Sequence, residues 1–96
     1  MIRVAEVVRK RIQFYGEVQA VGFRWKASHA AEAYRLTGWV QNEWDGSVLM
    51  EIQGPEDAID EVVATLNRDR YIVIDRMEVY RMTVDEDEHS FRIRGW

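Results

Sequence analysis

The sequence contains no cysteine, one proline and two histidines in 96 residues. The absence of cysteine excludes disulfide bonds and thiolate chemistry. No apolar run approaches the length of a membrane-spanning helix, and the first residues lack the apolar segment of a signal peptide. We therefore expect no membrane association and a cytoplasmic location.

Domain boundaries and metal-ligand patterns are also absent from the sequence. The lone proline, Pro55, lies at a predicted helix start, and no low-complexity stretch divides the chain, so one domain over residues 1–96 is expected. His29 and His89 are isolated from any second ligand at a suitable spacing. We therefore expect neither a metal site nor a cofactor. The formal net charge of −4 argues against a general nucleic-acid binder.

The spacing of apolar residues predicts the order of the elements. Alternation predicts strands over residues 7–15, 38–44, 47–53, 71–84 and 91–94. A period near 3.6 predicts helices from Phe23 to about Leu36 and from Pro55 to about Asn67. The acidic run 85–88 is interpreted as a solvated turn. This order predicts an α+β fold, a ferredoxin-like β-α-β-β-α-β sandwich with a short extra C-terminal strand, an antiparallel sheet and two helices on one face.

The segment from Gly16 to Arg24 is the first functional signal. It is a short loop bounded by glycines between a strand and a helix, and Arg24 lies in the first turn of that helix. Unpaired backbone N–H groups, a helix N-terminus and a guanidinium converge there, which favours binding of a phosphate-sized anion.

The segment from Gly38 to Val48 is the second signal. Asp45-Gly46 between apolar runs predicts a hairpin, because glycine readily adopts the positive φ of a tight turn. Side-chain parity places Val40 and Asn42 on one face of its first arm. We therefore expect Asn42 at the rim of the core, close to Arg24.

The two segments together resemble the acylphosphatase family, whose hallmarks are a G-x-V-Q-G-V-G-F-R loop followed by a G-W-V-x-N-x-x-D-G-x-V hairpin. The resemblance implies hydrolysis of the carboxyl–phosphate bond of acyl phosphates, without a cofactor. It implies that Arg24 binds the phosphate and that Asn42 orients the attacking water. The loop residues implied to cradle the phosphoryl oxygens are Glu17, Val18, Gln19, Ala20, Val21 and Gly22. The implied partner is a small acyl phosphate, and phosphate or sulfate can occupy the loop; a monomer is expected.

Three residues depart from the family pattern. Ala20 replaces a glycine, and if that position needs positive φ the alanine costs about 1–2 kcal/mol. Glu17 replaces a basic residue and is tolerable only if it points to solvent. Arg35 replaces a glycine at the end of the first helix, which concerns stability more than catalysis.

Several alternatives stay open from the sequence. The chain could be a non-catalytic anion-binding or regulatory module that kept the loop. RNA-recognition domains share the topology, and Tyr15 and Trp39 give that hypothesis slight support. Asn42 could simply cap the hairpin. Trp25 and Trp44 flank the motifs; packing is favoured for both, and a place at the rim of the substrate site is the alternative.

Overall fold

A computed structural model describes residues 6–95 of the chain. Five strands and two helices form it, in the order β1 (Val7–Glu17), α1 (Phe23–Ala33), β2 (Thr37–Asn42), β3 (Val48–Pro55), α2 (Glu56–Arg68), β4 (Val73–Met82) and β5 (Phe91–Arg94). Every predicted element is present. The strand predicted over residues 71–84 is shorter at both ends, and α2 begins one residue after Pro55.

The strands form one sheet in the order β4-β1-β3-β2-β5. Strands β1 to β4 pair antiparallel, and β5 pairs parallel with β2. The predicted ferredoxin-like fold with an extra C-terminal strand is therefore confirmed, but the sheet is mixed rather than wholly antiparallel. The physical reason is the chain path: β4 and β2 run in opposite directions, so a chain that turns back after β4 runs parallel to β2.

One face of the sheet packs against both helices and forms the core. Alternate strand residues are buried on this face, and each helix contributes one apolar stripe. The buried strand residues include Val8, Ile12, Phe14, Val40, Val48, Met50 and Ile52, and the buried apolar helix residues are Phe23, Ala27, Ala31, Ile59, Val62 and Leu66. The sheet therefore presents its other face away from the helices.

Helix α1 ends earlier than predicted because the chain turns at Arg35. Arg35 has a φ of 57°, and the N–H groups of Arg35 and Leu36 donate to the carbonyls of Glu32 and Ala31 at 3.0 and 2.9 Å. This is a Schellman motif, whose left-handed position normally holds glycine. An arginine there strains the backbone, as the departure from the family pattern suggested.

The sheet face without helices carries a buried ion-pair network. Arg9 is 5% exposed and donates to Glu51 Oε1 at 2.7 Å and to Glu88 Oε1 at 2.8 Å. Gln53 fixes the backbone of the segment between β4 and β5, because its side chain accepts from the N–H of Asp85 and donates to the Asp85 carbonyl. The interpretation of residues 85–88 as a solvated turn is therefore wrong at Glu88. The buried Arg9 side chain binds the Glu88 carboxylate and so helps to fix the conformation of the turn.

The charge on Glu51 is stabilised by two arginines. Burial by itself would raise the pKa of Glu51, but hydrogen bonds from Arg9 and Arg11 outweigh that effect and lower the pKa below its ordinary value. Removing one member of such a pair leaves a buried charge without compensation, which typically costs about 3–5 kcal/mol.

The two aromatic residues behind the RNA-binding alternative are both covered by arginines. Trp39 is only 8% exposed, and the Arg94 guanidinium lies 4.2 Å from its ring centre. Arg76 lies 4.0 Å from the ring centre of Tyr15. Neither ring is presented as an open surface on which a base could stack.

Candidate active site

Residues 18–22 connect β1 to α1 and form the loop at the centre of the candidate site. Val18 is fully buried and anchors the loop in the core. Ala20 and Gly22 both adopt left-handed conformations, with φ of 61° and 78°. Position 20 therefore does need positive φ, and its alanine costs about 1–2 kcal/mol relative to an unstrained conformation.

The loop and the first turn of α1 offer a group of backbone donors. Within residues 6–95, the N–H groups of residues 19–22 donate to no carbonyl and to no side chain. The hydrogen bonding of α1 begins only with Lys26, whose N–H donates to the Gly22 carbonyl at 3.0 Å. The first turn contains no acidic residue, so the positive end of the helix dipole is not neutralised there. These donors can bind an anion.

Two side chains anchor the loop, Gln19 from within it and Lys26 from α1. Gln19 Nε2 donates to the carbonyls of Glu43 and Ser47 at 2.6 and 2.9 Å, which ties the loop to the β2–β3 turn. Lys26 Nζ donates to the Val21 carbonyl at 3.0 Å and to Asp69 Oδ1 at 2.9 Å. The hydrogen bond from Lys26 is the main reason why the pKa of Asp69 is lowered. The loop is therefore fixed to both halves of the fold.

Asn42 ends β2 next to a tightly bonded turn. Its Cα pairs with Val48, and it shares the helix-covered face of the strand with Val40. In the adjoining turn the N–H and hydroxyl of Ser47 both donate to Asp45 Oδ1, at 3.0 and 2.6 Å, and these bonds lower the pKa of Asp45. The turn thus fixes the end of the strand and, with it, the backbone of Asn42.

Arg24 projects from the first turn of α1. Its Nη1 donates to the Arg94 carbonyl at 3.3 Å, which places the guanidinium beside the end of β5. A guanidinium has five N–H donors in a planar fork, which suits it to bind phosphate oxygens.

A cleft of about 220 Å³ brings these parts together. The residues on its wall are Val18, Ala20, Gly22, Phe23, Arg24, Trp25, Asn42 and Ile93. Five of the eight residues predicted for the site are therefore on one wall, although they come from distant parts of the chain. Glu17, Gln19 and Val21 are not on it. Glu17 is exposed and pairs with Val73 as the last residue of β1.

The described residues show neither a metal cluster nor a membrane-spanning helix. Among residues 6–95, no three His, Asp or Glu side chains are grouped so as to hold a metal ion. Neither α1 nor α2 is long and apolar enough to span a bilayer.

Comparison with known proteins identifies the family. A family model described as acylphosphatase matches residues 10–93. An acylphosphatase of Geobacillus thermodenitrificans is 42% identical over 79 residues, which are 81% of this chain and 84% of that relative. An acylphosphatase of Bifidobacterium longum is 38% identical over 98% of this chain and 99% of its own length. The chain belongs to the acylphosphatase family.

The solved structures agree. The crystal structure of acylphosphatase from Bacillus subtilis superposes with a TM-score of 0.84 at 31% identity, covering 92% of this chain and 99% of that one. The resemblance stated from the two sequence motifs is thereby confirmed. The family also makes this chain a hydrolase of the acylphosphatase kind.

Three residues outside the predicted set also line the cleft, namely Phe23, Trp25 and Ile93. Phe23 was predicted only as the start of the first helix and Ile93 only as part of the last strand, so neither was expected at the site. Packing was favoured for both Trp25 and Trp44, but the two side chains are 60% and 91% exposed, so that preference was wrong for both. Trp25 lines the cleft, which agrees with the alternative of a place at its rim, whereas Trp44 lies outside the cleft. No local signal marked Ile93, because only the pairing of β5 with β2 brings it to the site.

Proposed function

We propose that the cleft hydrolyses the carboxyl–phosphate bond of acyl phosphates to a carboxylate and inorganic phosphate. One observation carries the proposal. Arg24 and Asn42, which come from different elements, line the same cleft as a loop whose N–H groups at residues 19–22 have no partner within residues 6–95. A guanidinium, a carboxamide and a group of amide donors are what a phosphoryl transfer to water requires.

The phosphoryl group is held by the loop and Arg24. In the transition state negative charge is spread over the equatorial phosphoryl oxygens, so catalysis consists mainly of positioning and electrostatic stabilisation. The loop N–H groups and the N-terminus of α1 supply fixed donors, and Arg24 supplies a full positive charge. Because these donors are already oriented, little reorganisation is needed when the charge develops.

Asn42 orients the attacking water. The water oxygen forms a bond to phosphorus while the bond between phosphorus and the acyl oxygen breaks. The bonding electron pair leaves with the carboxylate, and the proton lost by the water passes to the released phosphate or to solvent. The acid of the leaving group has a pKa of about 4, so it departs without protonation and the step requires no general acid.

The decisive experiment measures hydrolysis of benzoyl phosphate, with no metal added, by wild type, Arg24→Ala and Asn42→Ala. We expect kcat/KM to fall about 10²–10³-fold in each variant, as for removal of other preorganised donors. Arg92→Ala and Gln41→Ala are the matched controls. Arg92 is exposed and Gln41 adjoins Asn42 on the opposite face of β2. Circular dichroism and thermal unfolding verify that each variant is folded.

The outcomes separate the hypotheses. Loss of turnover in both site variants, with the controls active, supports the proposed roles. Turnover that survives both substitutions contradicts them. If wild type binds phosphate but hydrolyses nothing, the alternative of a non-catalytic anion-binding module is favoured instead. A cytoplasmic location, a monomeric state and a single domain over residues 1–96 stay predictions.

A further inference from the structure

The candidate cleft has a second side that the phosphate chemistry does not use. Arg24, Asn42 and the loop account for its polar wall, while Trp25 and Ile93 add large apolar groups. These two side chains are 60% and 48% exposed. Exposed apolar groups that adjoin a polar site are characteristic of ligand pockets, where a few polar groups fix orientation and apolar groups supply contact area.

The Trp25 ring is held in place although most of it is exposed. The His29 imidazole, one turn further along α1, stacks on the indole with ring centres 3.7 Å apart and an angle of 27° between the planes. His29 Nδ1 in turn lies 3.1 Å from the Trp25 carbonyl oxygen. A ring supported in this way loses less conformational entropy when a ligand packs on it.

Ile93 lies on β5, close to Arg24, the arginine proposed to bind the phosphate. β5 pairs Ile93 with Val40, which puts the side chain on the helix-covered face of the sheet. The next residue, Arg94, accepts the hydrogen bond from Arg24 through its carbonyl. The extra strand therefore adds an apolar wall next to the guanidinium.

We propose that Trp25 and Ile93 form an acyl-side subsite that selects acyl phosphates with an apolar, preferably aromatic, acyl group. The inference rests on the proposed function, since it assigns the part of the substrate that the phosphate site does not hold. An aromatic acyl group buries more apolar area against the indole and the isoleucine side chain than an acetyl group does. The subsite therefore distinguishes substrates that present the same phosphate.

The test compares benzoyl phosphate with acetyl phosphate in each variant. The quantity measured is the ratio of the two kcat/KM values, in which the intrinsic reactivity of the substrates cancels between variants. We expect the ratio to fall about tenfold in Trp25→Ala and about threefold in Ile93→Ala. Trp25→Phe keeps an aromatic face and should restore most of the ratio, which loss of stability alone would not predict.

Matched controls exist for both residues. Trp44→Ala removes a tryptophan that is 91% exposed and outside the cleft. Val79→Ala removes an apolar side chain that is 50% exposed on the distant edge strand β4. Neither control should change the ratio.

Two different results would refute the acyl-side subsite and the proposed hydrolase. If wild type hydrolyses both substrates, but Trp25→Ala shifts the ratio no more than Trp44→Ala, the subsite is refuted and the hydrolase stands. If wild type hydrolyses neither substrate, the proposed function is refuted and the subsite with it.

Discussion

The two helices of this protein begin in opposite ways. The first turn of α2 contains Glu56 and Asp57, and the N–H of Ala58 donates to Asp57 Oδ1 at 2.9 Å. Glu56 also pairs with Lys10 of β1 at 2.7 Å, and the hydrogen bond from Lys10 lowers the pKa of Glu56. The start of α2 is therefore neutralised by its own side chains and docked on the sheet.

The start of α1 has none of these features. It follows Gly22, which is left-handed and supplies no side chain, and it has no acidic residue in its first turn. Two cations lie near it, Arg24 and the Lys26 that pairs with Asp69, and a cleft opens beside it. A helix start whose dipole is neutralised by its own acidic side chains stabilises the fold. A helix start without such side chains keeps its N–H donors available and can stabilise a bound anion. The contrast between the two ends supports the proposed site independently of the family.

Among changes that test the contrast between the two helix starts, the largest effect is expected from giving α1 the acidic start that α2 has. Trp25→Glu places a carboxylate in the first turn, where it stabilises the helix and repels phosphate. A negative charge about 4 Å from the anion costs about 1–4 kcal/mol depending on solvent screening, so phosphate affinity should fall about tenfold or more. Inhibition of hydrolysis by inorganic phosphate measures the affinity.

Trp25→Gln is the control for that substitution, because it removes the same indole without adding charge. Relative to Gln, the Glu variant should bind phosphate more weakly and melt about 2 °C higher. Equal phosphate affinities in the two variants would show that the open end of α1 does not bind the anion.

The next effect concerns the two left-handed residues at either end of the α1 region. Ala20→Gly and Arg35→Gly should each raise the free energy of unfolding by about 1 kcal/mol, because glycine tolerates positive φ. Urea denaturation measures both. Only Ala20→Gly should also tighten phosphate binding, since Arg35 lies at the far end of the helix. Identical binding by wild type and Ala20→Gly would show that the Ala20 methyl does not disturb the site.

A smaller effect is expected from the Lys26 tether. Lys26→Met keeps most of the side-chain volume but loses the bonds to the Val21 carbonyl and Asp69, so phosphate binding should weaken about threefold.

The fold favours the ionised form of Asp69, because its folded pKa is lowered. The contribution of Asp69 to the free energy of unfolding is therefore present at neutral pH. It is lost as the pH falls from the unfolded pKa, about 3.9, through the lower folded pKa.

Asp69→Asn tests that pH dependence directly. Melting temperatures of wild type should fall more steeply than those of Asp69→Asn below about pH 4. Parallel curves would mean that the Lys26–Asp69 pair contributes nothing to the stability of the loop.

Apolar periodicity predicted the order of the elements, and strand parity predicted the face of β2 on which Asn42 lies, because both are local signals. The sequence did not show that β5 pairs parallel with β2. It could not show that Ile93 lines the cleft, since that depends on which strand β5 joins. It also failed at Glu88, where an acidic run that looks solvated contributes one carboxylate to the buried Arg9. Both failures come from pairings between distant segments, which leave no pattern in either segment by itself.

The smallest expected effect comes from removing the acidic start of α2. Glu56→Gln combined with Asp57→Asn removes the two negative charges at the positive end of the α2 dipole and the ion pair with Lys10. The melting temperature should therefore fall by about 2 °C. Hydrolysis of benzoyl phosphate should not change, because the start of α2 does not adjoin the cleft. This is the reverse of the effect of Trp25→Glu, in which stability rises and phosphate binding falls. A loss of hydrolysis in the α2 variant would mean that the two helix ends are coupled, and the division into one structural and one functional end would then be wrong.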